Sequence, residues 1–156
     1  MGIIQMEMMK SFKTGYVKKI FFGYTAIEQT VVNLGLLIIR VSAGLSMAFG
    51  HGIKKLPPSE GFINGVSKLG LPLPEFMAWA ASLSEFAGGL LIVIGLATRP
   101  SAFFLCITMG VAAFIRHGGD PFGSMEKALL YFFIFLMLCF TGAGKYSADH
   151  QIHHYL

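Results

Sequence analysis

Four runs of mostly apolar residues, each near the length that crosses a bilayer, constrain this chain more than anything else in it. The first extends from about Val31 to Gly50 and is broken only by Asn33 and Arg40. The second, Glu75 to Ala97, contains Glu85; the third, Pro100 to Ile115, and the fourth, Ala128 to Gly142, carry no charge. A helix needs about 20 apolar residues to cross some 30 Å of hydrocarbon, so flanking polar residues are expected to complete the last two. None of the runs alternates with period two, and an open sheet would leave unpaired backbone edges in lipid. The expected fold is all-α: an integral membrane four-helix transmembrane bundle, multi-pass, in the inner or plasma membrane of the cell.

Composition agrees. The chain is 54% hydrophobic and 13% charged, against about 25% charged in soluble domains, and its mean hydropathy is +0.66. A soluble fold this apolar could not cover its surface with polar groups. Its 156 residues suffice for one domain. The net charge of +4 is spread over the N-terminal segment and the connections, where membrane lipid head groups are the expected partners and nucleic acid is not. Cys106 and Cys139 each lie inside an apolar run with no C-x-x-C, which argues against a thiol relay and for two buried free thiols. Lys10, Lys13, Lys18 and Lys19 are separated only by short apolar stretches, so no cleavable signal is expected. The start also lacks the Ser or Thr of a myristoylation signal.

The organisation expected is an N-terminal segment, 1–30, a four-helix domain, 31–149, and a solvated tail, 150–156, with His150, His153 and His154 at or in it. For residues 1–30 an interfacial amphipathic helix and a disordered tail stand open. The first two runs are joined by His51 to Pro74, whose prolines break regular structure; Glu60 to Leu69 between them fits a short helix at the interface. Thr98-Arg99 makes a tight second connection, with Pro100 suited to a first helical turn. Arg116 to Pro121 forms a turn-rich third. Four spans put both chain ends on one face. Six basic residues on that face against five on the other hardly discriminate, and four lysines ahead of the first run favour the cytoplasm for it.

Two charges fall inside the runs. Arg40 lies about midway along the first and Glu85 about midway along the second, at a cost of a few kcal/mol unless they are paired or face water. Antiparallel runs bring their midpoints to similar depth, which predicts an Arg40–Glu85 ion pair, either fixing helix packing or flooring a polar ligand pocket. The glycines of Ser84-Glu85-Phe86-Ala87-Gly88-Gly89 permit close helix approach, and Gly142-Ala143-Gly144 suits a helix C-cap. His51 ends the first run and His117 the third, so both lie at one face with Lys54, Lys55, Arg116, Asp120 and Glu126. Eleven residues separate Arg40 from His51, or about 16 Å on a helix, so the histidines could guard a pocket but not touch its floor. They could also exchange protons near physiological pH. The plain alternative is that they anchor helix ends at the interface. Two histidines are few for a metal, and no metal site is expected.

The pieces Leu37-Ile38-Ile39-Arg40-Val41 with Gly44, Gly50-His51-Gly52-Ile53-Lys54-Lys55-Leu56, Ser84 to Gly89, Gly95-Leu96-Ala97-Thr98-Arg99, His117 and Gly142 to Asp149 follow one another in an order and spacing that resembles the DoxX family of small four-helix bacterial membrane proteins. Residues 1–30 fall outside the resemblance. It implies a link to redox chemistry, since the founding name belongs to a thiosulfate:quinone oxidoreductase and other members to redox-stress complexes. The chain has no cysteine pair and no nucleotide or flavin motif, so electron transfer would need a bound quinone or a partner redox protein. The expectation is an oxidoreductase-associated subunit binding quinone or a lipid-like ligand, with Arg40, Glu85, His51, Lys55 and His117 as ligand-binding residues and no catalytic residue assigned. A second copy of the chain is a further expected partner. The alternative is a non-enzymatic membrane scaffold, chaperone-like partner or small transporter.

Overall fold

The computed structural model describes residues 29–155, so both readings of the segment before Gln29 lie outside the described residues. Asn33–Leu156 forms one compact unit, and every tertiary contact given below lies within it. Four helices are long and apolar enough to cross a membrane: α1 (Gln29–Lys55), α3 (Pro74–Ile94), α4 (Thr98–Arg116) and α5 (Phe122–Thr141). Among the described residues two short helices accompany them, α2 (Glu60–Ser67) in the connection and α6 (Ala148–Tyr155) in the tail. No strand occurs among the described residues.

The helix ends follow local chemistry. The first, α1, runs past Gly50 because a widened π-helical stretch, Ser46–Gly52, and a tight turn, Ile53–Lys55, carry it to the prolines. In α3 the end comes at Ile94 because Gly95 takes a left-handed φ of 70° and its N–H turns back to the carbonyl of Leu91, the usual way a glycine stops a helix. The last, α5, starts six residues before Ala128, taking in Ser124, Glu126 and Lys127, which supply the polar turns that complete its span. Its C-cap is Gly142, with φ 73°. Ser59 caps α2 by accepting from the N–H of Phe62, as Ser does at an N-cap.

Small residues fix how α1 meets α3. A Cβ on Gly44 would lie 2.7 Å from the carbonyl oxygen of Gly89, and one on Gly89 would lie 3.1 Å from the Cβ of Ala48. One on Gly52 would lie 2.5 Å from the backbone nitrogen of Phe86. Backbones this close can be met only by glycine. The contacts pin the antiparallel register, with Gly44 facing Gly89 and Gly52 facing Glu85 and Phe86.

That register leaves α1 short. Lys55 lies only three residues beyond Gly52, whereas α3 continues eleven residues beyond Glu85 to Pro74. At about 1.5 Å per residue α1 stops roughly 12 Å before α3 does. The short helix α2 takes up the space by packing against the Pro74–Leu83 part of α3, so it belongs to the bundle as well as to the connection.

The core joins α1, α3, α4 and α5 through Met47, Ile92, Leu105, Met109, Phe135 and Leu138. Outward faces are apolar: Leu34, Ile38, Leu45, Phe49 and Ile53 make a stripe on α1, and Leu130, Phe133, Met137 and Phe140 do so on α5. In water such faces would demand a partner; against lipid tails they do not.

Gly52→Ala should therefore lower the thermal unfolding temperature in detergent, by an amount equivalent to about 1–3 kcal/mol of overpacking. Gly35→Ala, where a Cβ meets nothing within 4 Å, should leave stability unchanged or raise it by about 0.5–1 kcal/mol. Equal melting of the two variants would contradict the close approach.

Candidate functional site

Arg40 does not meet Glu85. From Gly44 opposite Gly89 the register carries Arg40 to Val93, eight residues and about 12 Å along the axis from Glu85. Midpoint matching missed this because α1 and α3 are offset lengthwise. The Arg40 side chain is 1% exposed. Its Nη1 donates to the carbonyls of Ile92 (3.0 Å) and Val93 (2.7 Å), and its Nη2 donates to that of Tyr146 (2.6 Å). The first two belong to the last turn of α3, whose carbonyls have no partner within the helix, and a cation is favoured at that end of the helix dipole. Gly95 makes the room, since a Cβ there would collide with the guanidinium. Asp149 completes the arrangement: its carboxylate accepts from the N–H groups of Ala97 (2.7 Å) and Thr98 (2.9 Å) at the start of α4, while its own N–H donates to the carbonyl of Gly95 (2.8 Å). Asn33 Oδ1 accepts from the N–H of Lys145. Arg40 thus ties α1, α3 and the 142–149 segment together at one end of the bundle.

Glu85 has another partner. Its Oε1 lies 2.6 Å from Lys55 Nζ, with Glu85 1% and Lys55 32% exposed. The pair sits where α1 ends and about midway along α3, so an ion pair and a helix terminus coincide deep in the bundle. Irregular backbone at such depth is tolerated only where protein buries it or a cavity hydrates it. Glu85 Oε2 is buried and has no hydrogen-bond partner among the described residues. Arg40 Nε and Thr98 Oγ1 are also buried without one, but neither is a charged acceptor. Phe62 of α2 lies over the Lys55 ammonium, 5.4 Å from ring centroid to Nζ, a cation–π distance.

Each of the first three spanning helices carries a π-helical stretch: Ser46–Gly52, Ser84–Gly88 and Val111–Arg116. The first two pack against each other and hold His51 and Glu85. Such stretches are rare and frequent at functional sites.

The two histidines part company. His51 is half-buried and meets Tyr131 of α5 edge to face, at 5.9 Å between centroids, and Tyr131 stacks on Phe135. His117 lies in the turn after α4, with Nδ1 2.7 Å from Asp120 Oδ2 and both side chains substantially exposed. No group of three or more His, Cys, Asp or Glu side chains that could hold a metal occurs among the described residues. Cys106 is a buried free thiol, whereas Cys139 is free but only half-buried.

Of the five residues singled out from sequence, Lys55 and Glu85 are in direct contact, His51 is within the same half of the bundle, His117 is on its rim and Arg40 belongs to the opposite end. Tyr131 was not named from the sequence, and Asp149 was named only as the end of the Gly142 to Asp149 piece, with no role given to it. Asp149 had a signal, because an acidic residue shortly after a glycine-rich helix end is available to cap a neighbouring helix.

The profile of the family described as DoxX matches residues 35–118, from the second turn of α1 to the turn after α4, which takes in Arg40, His51, Lys55, Glu85 and His117. This chain belongs to the DoxX family. A Bacillus subtilis protein named "Putative oxidoreductase CatD" is 32% identical over 118 residues, covering 75% of this chain and 86% of its own. The Escherichia coli "Inner membrane protein YphA" is 31% identical over 125 residues, covering 74% and 89%, and "Inner membrane protein YqjF" of the same organism is 35% identical over 121 residues, covering 75% and 91%. No solved structure matches the chain. This DoxX protein is a multi-pass membrane protein.

A double-mutant cycle separates the two candidate partners of Glu85 in this DoxX chain. Removing one member of a buried pair costs about 3–5 kcal/mol, and the lower end is expected for Lys55→Ala because Lys55 is partly exposed. Lys55→Ala and Glu85→Ala should couple, the double variant losing clearly less than the sum. Arg40→Ala and Glu85→Ala should add to within about 0.5 kcal/mol. Thermal unfolding in detergent measures both; coupling only in the Arg40 cycle would contradict the assignment.

Proposed function

We propose that this protein is a redox-linked subunit of the inner, or plasma, membrane that binds a quinone or quinone-like lipid beside Lys55 and Glu85. The observation that carries the proposal is a charged pair at mid-depth, next to a helix end, with one carboxylate oxygen left without a partner. Intramembrane charges usually mark function. In this role Lys55 Nζ donates to an oxygen of the ring, Glu85 holds the ammonium in place, and His51 borders the site against Tyr131. An isoprenoid tail would lie along apolar surface such as Phe49 and Ile53, both about half exposed. His117 with Asp120 stands at the rim, and Arg40 sets the packing that positions the pair. Electrons come from a partner redox protein. The oxidoreductase name of the Bacillus subtilis relative and the inner-membrane names of the Escherichia coli relatives support this proposal.

A small transporter is the second proposal, favoured by the same interruption of α1, because helices broken at mid-depth beside a charge mark substrate sites in transporters.

Solvent extraction of the purified protein, followed by chromatography, tests the first proposal. Co-purified quinone is expected in the parent protein and in Lys68→Ala, an exposed change far from the pair, and should fall several-fold in Glu85→Gln and Lys55→Met. Absence of quinone from the parent protein, together with no binding of added quinone, would reject it and leave the transporter.

A further inference from the structure

We infer that the Lys55–Glu85 site selects a headgroup carrying a hydroxyl, and so holds a quinol in preference to the oxidised quinone. The inference rests on the quinone-binding proposal and deepens it. Glu85 in its ion pair is a carboxylate, which accepts hydrogen bonds and donates none. Oε1 is occupied by Lys55 at 2.6 Å, and Oε2 is buried with no partner among the described residues. A buried charged acceptor without a donor costs more than a neutral one, so the ligand best suited to this place brings an O–H.

Lys55 contributes the complementary half. Its ammonium has three N–H donors and no acceptor. One hydrogen points to Glu85, and the Phe62 ring lies beside the group. A phenolic hydroxyl can accept from Lys55 through its lone pairs while donating to Glu85 Oε2. A quinone carbonyl can accept from Lys55 but leaves Oε2 bare and sets its own negative oxygen against the carboxylate. The two redox forms share a ring and a tail, so the difference falls on that single hydrogen. Oε2 has no solvent contact. A ligand therefore reaches it past the end of α1, at Ile53–Lys55 and the following Leu56-Pro57-Pro58, where the helix gives way to a tight turn and then to non-helical backbone.

The test is equilibrium binding to the full-length purified protein in detergent, under argon, with four probes: duroquinol, duroquinone, the dimethyl ether of duroquinol, and dioleoylglycerol as a hydroxyl-bearing lipid competitor. The quinol should bind about tenfold or more tighter than the quinone, the size of one hydrogen bond to a charged group. The dimethyl ether, with the same ring and no O–H, should bind no better than the quinone. Glu85→Gln offers an amide that both donates and accepts, so its preference should fall to within about twofold; the ether comparison decides the matter even if that variant does not fold. Equal binding of quinol and quinone by the parent protein would overturn this inference and leave the quinone site standing. Displacement of the quinol by an equal concentration of dioleoylglycerol would overturn the assignment to a quinol. Binding of neither redox form would overturn this inference and the proposal beneath it.

Discussion

The close contact of α1 with α3 through Gly44, Gly89 and Gly52 is the constraint on which the rest of this bundle depends. Lipid tails are as apolar as leucine, so helices in a membrane gain little by hiding apolar surface from them and associate through close packing and hydrogen bonds instead. Three positions without a Cβ let two backbones approach to distances that side chains forbid. Sliding α1 by one turn along α3 would place Met47 or Ala48 where only Gly44 or Gly52 fits. The register is therefore steeply defined, and the partners of both buried charges follow from it.

With the register set, Arg40 and Glu85 answer different needs. Arg40 reaches the carbonyls of Ile92 and Val93 at the end of α3 and the carbonyl of Tyr146. A guanidinium suits this place because its planar fork offers five donors in fixed directions and stays charged. Asp149 mirrors it by capping the start of α4. That end of the bundle is closed by bonds that use charge for structure. At the other end α1 stops early, and a carboxylate and an ammonium face each other with donor and acceptor capacity to spare. The contrast between the two ends is what leads us to propose the Lys55–Glu85 pair as the place for a ligand and Arg40 as part of the frame.

Much of the architecture was legible in the residues. Hydropathy found all four spans because a bilayer imposes length and apolar character together. Gly142 announced a helix end and the prolines after Lys55 announced the long connection, whereas the second span was read through Gly95 to Ala97 although Gly95 ends it at Ile94. Pairing was harder to read. Depth estimated from the middle of each apolar run assumes that helices start and stop together, and α1 violates this because its last turns are spent beside Glu85, well short of the end of α3. The glycines that fix the offset were visible, and Gly88 and Gly89 were read as a packing surface. Their opposite numbers, Gly44 and Gly52, decide the register only once the backbones are seen in contact. His51 and His117 were expected to share a face, but the early end of α1 sets His51 against Tyr131 while His117 pairs with the exposed Asp120 in the turn after α4. Side-chain neighbours also depend on helix rotation, which a one-dimensional pattern at this level of hydrophobicity leaves open, because the exposed faces are nearly as apolar as the core.

The central claim is that helix register joins Glu85 to Lys55 and keeps it from Arg40, and cysteine crosslinking measures register most directly. In a background with Cys106→Ala and Cys139→Ala, the pair Phe49→Cys with Phe86→Cys, whose parent rings meet edge to face with centroids 6.4 Å apart, should be joined by a short bifunctional thiol reagent. The pair Arg40→Cys with Glu85→Cys, about 12 Å apart along the axis, should not be joined. A crosslink between positions 40 and 85, with none between 49 and 86, would contradict the register and with it the assignment of the Lys55–Glu85 site.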